Sequence, residues 1–525
     1  MRCFSWTAAS EVGLYATCAS YAVSARNVTA TPVSSIRTKT QNSDKIWTFK
    51  RWTLISCSLS GATVNFTLSH QHSNPEAVVQ EVQRRILAST SNAESHDQQS
   101  CTTGNPIDDC WQCDPNWGNN RQRLADCAIG FGQGASGGKG GQIYAVTDSS
   151  DNDVEDPKPG TLRFGVVQAE PLWIIFAANM QIKLSHELIV SSFKTIDGRG
   201  ANVYITGKGC ITIQDVSNVI IHNIHVYNCV PSGSADIRLN PGQVEHKGKS
   251  DGDGISISGS RNVWVDHCAI SHCTDGLVDV TVGSTAVTIS NNYFSHHDKV
   301  MLLGHSDKYT PDKGMQVTIA FNHFGVQLIQ RMPRCRHGYF HLVNNDYTEW
   351  QMYAIGGSAD PTIISQGNRY TAPNDASSKQ VTKRLDTDEG DWAGWDWRSD
   401  GDVMVNGAYF VPSGQGDLYT KDSGAEPRSA AMIDRLTSAA GVLGGPRDNG
   451  DHISHDGGTN SDENGSGGGM TFGSGDGMTF GSAGMEFGSA NPPLSPSTAI
   501  FLSVIVVATL EMITRNGAVL PLELL

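Results

Sequence analysis

A short pattern that returns at a nearly constant interval is the feature of this sequence that most constrains its fold. The pattern reads apolar-x-apolar-x-x-Asn-x-aromatic, and its clearest copy runs from Val287 to Phe294. Aligned copies begin at Val287, Val317, Phe340 and Ile363, so that consecutive starts lie 30, 23 and 23 residues apart. Looser copies with larger insertions begin at Val219 and Val263. Self-similarity at a period of about 20 to 50 residues is typical of a stack of repeated structural units.

The residues of the repeat predict that each unit is one coil of a parallel β-helix. Short β-branched segments alternate with polar residues and are interrupted by Gly, Asn and Asp, as in strands rather than helices. Leucine-rich repeats have a similar period, but these coils lack the leucine framework. Equivalent residues of successive coils stack, so Asn292, Asn322, Asn345 and Asn368 are expected to form a ladder of side-chain amides beside stacked aromatic rings. We therefore expect an all-β core.

The two ends of the chain differ in composition from this core. A helix is predicted near Pro75 to Ala88, with one apolar face. Residues 448–490 are nearly all Gly, Ser, Asp, Met and Phe, which predicts a disordered linker. The apolar run Ala499–Leu510 is shorter than a membrane span of about 20 residues. With the small residues and polar spacer before it, it resembles a GPI-anchor signal, and a transmembrane tail or an unprocessed secreted tail remains an alternative.

These boundaries divide the chain into six regions. They are an aberrant N-terminal or targeting region at 1–64, a helical segment at 65–104, the β-helix at 105–415, a C-terminal extension at 416–447, a linker at 448–498 and an apolar tail at 499–525. Residues 1–25 lack the uninterrupted apolar run of a signal peptide.

Charge and cysteine content exclude several classes of function. The net charge of −15 and the absence of helix-turn-helix or finger spacing exclude nucleic acid as a partner. Cys110 and Cys113 form one CxxC without the second pair that structural zinc requires, so disulfides fit the twelve cysteines better. Sequons at Asn27, Asn65 and Asn464 permit a secreted glycoprotein.

Four carboxylates form two tight pairs that the repeat brings together. Asp251 and Asp253 lie in SDGDGISI, and Asp275 and Asp279 lie in CTDGLVDV. Asp251 and Asp275 are 24 residues apart, which is one coil, so the pairs are expected on adjacent coils in nearly the same register. Either pair alone is typical of turns. Together, the four hard oxygen donors predict a Ca²⁺ site, although an EF-hand loop is absent.

A second cluster of site candidates is cationic. Lys299 lies in HHDKVMLLGHSD, and one coil later QRMPRCRHG carries Arg331, Arg334 and Arg336. Any one of these side chains could be an ordinary solvated residue. In an acidic chain, however, three arginines within six positions indicate an anion site. Facing a metal site, they predict a substrate that is an oxygen-rich polyanion.

The segments that carry these residues resemble the plant pectate lyases of polysaccharide lyase family 1. The resemblance lies in NPIDDCWQCDPNW and RLADCAIGFG at 105–132, PLWIIF at 171–176, TIDGRG at 195–200, SDGDGISI at 250–257, VWVDH at 263–267, DGLVDV at 275–280, HHDKVMLLGHSD at 296–307 and QRMPRCRHGYFHLVNNDY at 330–347. It covers residues 65–415 and implies a right-handed, single-stranded parallel β-helix, in agreement with the repeat. The C-terminal extension is consistent with a membrane-anchored subgroup.

The resemblance also implies the reaction. Pectate lyases cleave de-esterified (1,4)-α-D-galacturonan by β-elimination and leave an unsaturated 4-deoxy-galacturonosyl end. By resemblance, Ca²⁺ is held by Asp251, Asp275 and Asp279, with Asp253 close by. The expected form is a monomer in the cell wall, and attachment to the plasma membrane through a lipid anchor is the alternative.

Roles for the cations follow from the same resemblance. Arg331 matches the proton-abstracting base of the family, and Lys299 and Arg336 match its binders of the substrate carboxylate. Because a guanidinium has an ordinary pKa above about 12, the base role predicts a rate that rises toward alkaline pH.

The resemblance extends to structural features and has one clear departure. It implies the disulfides Cys110–Cys127 and Cys210–Cys229. VWVDH is expected to be a structural segment packed beside the metal loop rather than a source of catalytic groups. Residues 231–249 differ from the segment that usually precedes SDGDG, so substrate contacts there are not implied.

Three alternatives remain open. A polygalacturonase-like hydrolase on the same fold needs paired carboxylates and neither Ca²⁺ nor Arg331. A calcium-independent pectin lyase would lack most of the acidic cluster. A non-catalytic protein that binds cell-wall polysaccharide would keep the coils and lose Arg331 or one of the acids.

Overall fold

The computed structural model describes residues 102–416 and 424–443. The predicted helix near Pro75 to Ala88, the linker and the apolar tail lie outside these residues. The described residues contain four short α-helices: α1 (Pro106–Gln112), α2 (Leu162–Val166), α3 (Glu389–Trp392) and α4 (Ile433–Leu436). Within the described ranges, no helix is both long and apolar enough to cross a membrane.

Three long parallel sheets form the body of the molecule. The ten-stranded sheet contains β1 (Gln142–Val146), β2 (Leu172–Phe176), β5 (Lys194–Asp197), β8 (Ser217–His222), β13 (Arg261–Asp266), β16 (Thr285–Ser290), β20 (Gln316–Ala320), β24 (Tyr339–Val343), β27 (Thr362–Gln366) and β30 (Trp397–Asp400). The nine-stranded sheet contains β3 (Met180–Leu184), β6 (Val203–Lys208), β9 (His225–Val230), β14 (Ala269–Ser271), β17 (Tyr293–Ser295), β21 (His323–Phe324), β25 (Asp346–Thr348), β28 (Arg369–Thr371) and β31 (Val403–Val405).

The eight-stranded sheet completes each coil. It contains β4 (Leu188–Ile189), β7 (Ile211–Gln214), β12 (Ile255–Ser258), β15 (Val278–Thr281), β19 (Leu302–Leu303), β23 (Arg334–Arg336), β26 (Ile355–Ser358) and β29 (Thr382–Arg384). Two further pairs are small: β18 (His297–Lys299) runs parallel to β22 (Leu328–Gln330), and β10 (Ala235–Asn240) runs antiparallel to β11 (Gln243–Lys247).

The strand order confirms the predicted parallel β-helix. The eight coils from β2 to β29 each contribute one strand to each long sheet, with β1 added at one end and β30 and β31 at the other, so neighbours in a sheet are successive coils. The register of the repeat is also confirmed, because the starting residues of the aligned copies pair directly: Val219 with Val263, Val263 with Val287, Val287 with Val317, Val317 with Phe340, and Phe340 with Ile363. These side chains fill the apolar interior of the coils and are fully buried.

The predicted amide ladder is present. Asn292, Asn322 and Asn345 each donate from Nδ2 to the Oδ1 of the asparagine one coil on, at 2.9–3.0 Å, and the ladder ends at Asn368. Each Oδ1 also accepts the backbone N–H of the preceding rung, so the bend between two sheets leaves no polar group of the ladder unpaired. Beside it, rings from Phe294 to Tyr370 stack at 4.5–5.1 Å between centroids.

A segment at 130–138, which we call the strap, crosses the outside of the ten-stranded sheet. It bonds in turn to Thr195, Asn218, Thr288 and Thr318, which lie on β5, β8, β16 and β20. The strap lies so close to the sheet that a Cβ on Gly132 would be 2.6 Å from the backbone nitrogen of Thr288. Glycine is therefore required there for the close approach.

Both disulfides that the resemblance implies are formed in the structure. Cys110 in α1 is bonded to Cys127, and Cys210, just before β7, is bonded to Cys229 in β9. The first joins two parts of the segment that precedes the coils. The second joins two consecutive sheets across one coil.

The divergent segment 231–249 is a β-hairpin that the sequence analysis did not predict. Strands β10 and β11 pair from Ala235 and Lys247 toward a turn in which Gly242 N–H donates to Asn240 Oδ1 at 3.0 Å. At its base, the Ser232 amide and hydroxyl both bond to Ser250 Oγ, at 2.8 and 2.9 Å. The hairpin therefore delivers the chain to Asp251 in a fixed position.

Candidate functional site

The outer face of the eight-stranded sheet carries the predicted site. Side chains alternate between the interior and the surface along each strand, so one register position repeats outward on every coil. The outward position that includes Asp279 runs through Thr212, Ser256, Asp279, Leu302, Arg334, Gly356 and Lys383. Along these seven coils the row changes from hydroxyl groups through a carboxylate to cationic groups, with Leu302 and Gly356 between them.

The four acids lie on two adjacent coils, as the spacing predicts. Asp251 and Asp253 come directly before β12, and Asp275 and Asp279 lie before and within β15, the strand that pairs with β12. Two of them are held by backbone amides of the following coil: Asp253 Oδ1 accepts from Gly276 N–H at 2.7 Å, and Asp279 Oδ1 accepts from Leu302 N–H at 3.0 Å.

The acids repel one another in a partly desolvated environment. Burial raises the pKa of Asp253 to about 6, against the lowering effect of the Gly276 hydrogen bond, and the charges of Asp275 and Asp251 raise it further. Burial likewise raises the pKa of Asp279 well above its ordinary value, and the charge of Asp253 adds to the shift. Folding therefore brings these carboxylates together at an energetic cost.

This donor set fits a hard divalent cation. Across residues 102–416 and 424–443, no three His, Cys, Asp or Glu side chains converge as a ready-made ligand set. The donors are nevertheless all oxygens, and the repulsion between Asp253 and Asp279 is the kind that a bound cation relieves. Lys299 takes up part of this charge, because its Nζ lies 3.2 Å from Asp275 Oδ1.

Three of the four predicted cations are paired with carboxylates of the chain. Lys299 pairs with Asp275, as described. Arg336 Nε lies 2.9 Å from Asp307 Oδ1, and Arg334 lies 3.9 Å from the exposed Asp386. Burial lowers the pKa of Arg334, and the charges of Arg336 and Arg331 lower it further. The arginines are thus close enough to repel one another.

Arg331 differs from these three cations. It lies between β22 and β23 with a positive φ of 64°, a conformation that costs energy for any side chain but glycine. Its carbonyl accepts from Met301 N–H at 2.8 Å, which fixes the backbone. Among the described residues its guanidinium forms no ion pair, and its buried Nε has no hydrogen-bond partner. The charge of Arg331 lowers the pKa of Asp279, on the acidic side of the face, and so opposes part of the effect of burial.

Several residues of this face were missed by the sequence analysis. Glu187, two coils before Asp251 and Asp253, accepts from Thr212 Oγ1 on the coil between them at 3.0 Å, and its charge also raises the pKa of Asp253. A cavity of about 230 Å³ lies between Glu187 and the end of the hairpin, and Lys247 and Lys249 line it. Asp307 and Asp386, the partners of the arginines, were missed as well. All of these residues lie outside the repeated pattern, so no spacing signal marked them.

The expectation for VWVDH needs one correction. The segment forms β13 of the ten-stranded sheet, so it does not lie beside the acidic loops, which belong to the eight-stranded sheet. Asp266 accepts from His222 and Ser290, and His267 bonds to Asp108 Oδ1 at 2.8 Å and to Gly441 O at 3.0 Å. This network holds α1 and the C-terminal residues on the coils, so a structural role fits it.

Comparison with known proteins agrees with this fold. The family model described as pectate lyase matches residues 130–391. The chain is 62% identical over 387 residues to "Probable pectate lyase 12" of Arabidopsis thaliana, covering 72% of this chain and 80% of that protein. It is 58% identical over 371 residues to "Pectate lyase" of Zinnia elegans, covering 70% and 92%.

A solved structure extends the comparison to the fold. The crystal structure of Jun a 1, the major allergen from cedar pollen, matches with a TM-score of 0.63 and 49% identity, over 65% of this chain and 99% of that one. The fold and these relatives define a parallel β-helix enzyme of the lyase class. The chain belongs to the pectate lyase family, polysaccharide lyase family 1.

Proposed function

We propose that this enzyme is a calcium-dependent lyase that cleaves de-esterified (1,4)-α-D-galacturonan by β-elimination. The observation that carries the proposal is the position of Arg331. It is the one cation of the four that forms no ion pair in the described part of the chain, and it lies on the same face as four clustered acids. A polyanion of uronates is the substrate that such a face suits.

The cations would bind and orient the substrate. Lys299 and Arg336 would leave their present partners, Asp275 and Asp307, and bind substrate carboxylates instead. This exchange would cost little free energy, because ion pairs near a solvated surface are weak. Arg331 would take the proton from C5 of a uronate bound beside it. The electron pair of the broken C5–H bond then forms the double bond to C4, and the bond from C4 to the glycosidic oxygen breaks.

The four acids would hold the metal. Asp251, Asp253, Asp275 and Asp279 are the residues that would bind Ca²⁺, and when bound the ion would acidify the C5 proton by drawing charge from the uronate carboxylate. The absence of a carboxylate partner fits the task of Arg331, because such a partner would stabilise its charged form and oppose its use as a base.

The alternatives differ in the groups they need. A hydrolase needs one carboxyl as acid and another to activate water. Here the two acids of the cluster with strongly raised pKa values, Asp253 and Asp279, lie next to each other and repel one another. They are therefore not arranged as an acid and a base on opposite sides of a substrate bond, and the group on the other side of the cluster is Arg331. A carbohydrate-binding protein without activity would have no need for a strained, unpaired arginine.

Location and processing follow from the same proposal. An enzyme acting on pectate would be secreted to the plant cell wall as a glycosylated monomer. A GPI anchor through residues 499–525 would hold it at the plasma membrane.

The experiment uses the full-length protein on polygalacturonate at alkaline pH, with Ca²⁺ or with a chelator. Ultraviolet absorbance of the unsaturated product is followed together with reducing ends. Absorbance that requires Ca²⁺ is the expected result. Reducing ends without absorbance would establish a hydrolase, and the absence of both from folded, calcium-loaded protein would establish a binding protein.

A further inference from the structure

Three buried polar atoms at and beside Arg331 have no hydrogen-bond partner among the described residues. In the described part of the chain, Arg331 Nε, Arg334 Nε and the hydroxyl of Tyr353 are all buried without a hydrogen-bond partner. Tyr353 itself is only 2% exposed. Leaving such a group unpaired costs about 1 to 3 kcal/mol, so each one in a native structure needs an explanation.

The backbone places Tyr353 directly beside Arg331. Hydrogen bonds of 2.8 and 2.7 Å join residues 352–354 to residues 329–332 of the preceding coil, through Met352 N–H to Ile329 O and Met332 N–H to Ala354 O. Tyr353 is therefore the coil neighbour of Arg331.

The ring of Tyr353 is held in place by a glycine. A Cβ on Gly356 would lie 2.4 Å from Cε2 of Tyr353, so the ring packs directly on the Gly356 backbone. Gly356 pairs in register with Arg334 on the previous coil. The ring therefore lies next to both arginines, and glycine at 356 is what makes room for it.

Charge at Tyr353 agrees with this position. Burial raises the pKa of Tyr353, and the positive charges of Arg331 and Arg334 act in the opposite direction. The Arg331 side chain lies close enough to the phenol to lower this pKa as a hydrogen-bonding neighbour, although the two groups lack the geometry of a formed hydrogen bond. Both arginines are thus within electrostatic reach of the phenol, and burial keeps the phenol neutral.

A neutral partner suits a base that must lose its charge. The carboxylates beside Lys299, Arg334 and Arg336 all favour the charged form of their cation. A hydroxyl can accept an N–H from charged Arg331 and can donate its O–H to the bare nitrogen of neutral Arg331. It therefore orients the side chain without opposing its deprotonation.

We propose that Tyr353 is a positioning residue for Arg331, and that its hydroxyl orients the guanidine and hydrogen-bonds to its neutral form. The inference rests on the proposed function. The C5 proton passes to a nitrogen of Arg331, the leaving glycosidic oxygen takes a proton from water, and Tyr353 keeps its own proton throughout.

The test compares full-length Tyr353→Phe with the wild type. Tyr339→Phe is the matched control, because the Tyr339 hydroxyl is also buried without a partner and its ring packs on Phe131 at 5.7 Å. We expect kcat of Tyr353→Phe to fall about tenfold, with KM within about twofold and the rising limb of the pH–rate profile moved to higher pH. The melting temperature should not fall, because the hydroxyl that is removed forms no hydrogen bond in the described part of the chain. Tyr339→Phe should match the wild type in kcat and pH profile.

A double variant separates positioning from an independent effect. In the Arg331→Lys background, Tyr353→Phe should not lower the residual rate further, because the residue that it positions is already altered. A further tenfold loss in that background would overturn the proposal.

Other outcomes are equally decisive. An unchanged kcat and pH profile in Tyr353→Phe would overturn the inference while leaving the lyase proposal intact. A loss of activity that accompanies unfolding or a lower melting temperature would show a structural role and overturn it too. If the calcium-loaded wild type forms no ultraviolet-absorbing product, it is the proposed function that fails.

Discussion

The asparagine ladder and the acid–arginine face belong to one stack of coils and overlap on the coils that carry Lys299 and Arg331, but their polar groups are satisfied to very different degrees. In the ladder, each of the polar atoms that joins Asn292 to Asn368 has its partner within about 3 Å. On the face, Asp253 and Asp279 repel one another, and Arg331 has a strained backbone and an unpaired nitrogen. The fully satisfied part of each coil thus stabilises a part that alone would be unfavourable, which is typical of active sites.

The largest effect is expected on the face, from Arg331→Lys. Lysine keeps a charge but cannot reach the position of the guanidinium nitrogens, so kcat should fall by about 10³-fold. Unfolding free energy should change by less than about 0.5 kcal/mol, because the side chain forms no ion pair there. Product absorbance and denaturant unfolding measure the two quantities. Arg261→Lys, at an exposed position of β13, is the control, and a rate above one tenth of wild type would contradict the role of Arg331.

The ladder should show the reverse behaviour in Asn322→Ala. Asn322 donates to Ile289 O and Asn345 Oδ1 and accepts the amide of Asn292, all at 2.9 Å. Its removal leaves buried groups unpaired and should lower the free energy of unfolding by about 3 to 4 kcal/mol, with kcat retained below the melting temperature. Urea unfolding checks this. The exposed Asn119→Ala should have no effect, and an equally small effect at Asn322 would show that the ladder is dispensable.

The network of His267, Asp108 and Asp266 beside the ten-stranded sheet makes the free energy of unfolding depend on pH. Burial alone would lower the pKa of His267, but Asp108 and Asp266 raise it to about 9. The folded-state pKa exceeds the ordinary value of about 6.5, so the stabilisation is complete below pH 6.5 and lost as the pH rises to about 9.

This loss should amount to about 2 to 3 kcal/mol over that range. Unfolding free energy measured from pH 6 to pH 9.5 tests it, with His267→Gln as the comparison. The variant should be less stable at pH 6 and should lack this part of the slope. Parallel curves for the two proteins would show that His267 does not carry a proton in the folded state.

The smallest effect should appear when one repelling charge is removed from the face. In the presence of a chelator, Asp253→Asn should raise the free energy of unfolding by about 1 kcal/mol, because a buried charge is lost and the Oδ1 that accepts from Gly276 is kept. The exposed Asp156→Asn should not do so. Thermal unfolding with and without Ca²⁺ measures the change. If Asp253→Asn is less stable than the wild type in the chelator, the acids do not repel one another.

The repeated part of the structure could be predicted from sequence. Equivalent residues such as Val287 and Val317 pair directly because every coil passes through the same three sheets, so spacing alone gives the register. The same reasoning placed Asp251 and Asp275 on adjacent coils. The roles of the site residues remain predictions that activity measurements must test.

Features outside the repeat could not be predicted in this way. The hairpin at 231–249 is a local insertion between two coils, so the spacing of the repeat carries no information about it. Tyr353 is one of many aromatic residues in the sequence. Its position beside Arg331 depends on the space that glycine, which has no side chain, leaves at residue 356. The partnership of Arg336 with Asp307 joins two loops whose paths depend on tertiary packing.

The strap changes how the stack of coils comes apart. Coils that touch only their neighbours open one at a time from the ends. Residues 130–138 bond to strands from β5 to β20, so that releasing one of these coils also breaks contacts to the others. Amide hydrogens of these coils should therefore exchange with solvent as one cooperative block, whereas those of β27 and β30, beyond the strap, should exchange earlier. The coils from β5 to β20 would in this way unfold as one unit, although the repeat alone would let them open one at a time.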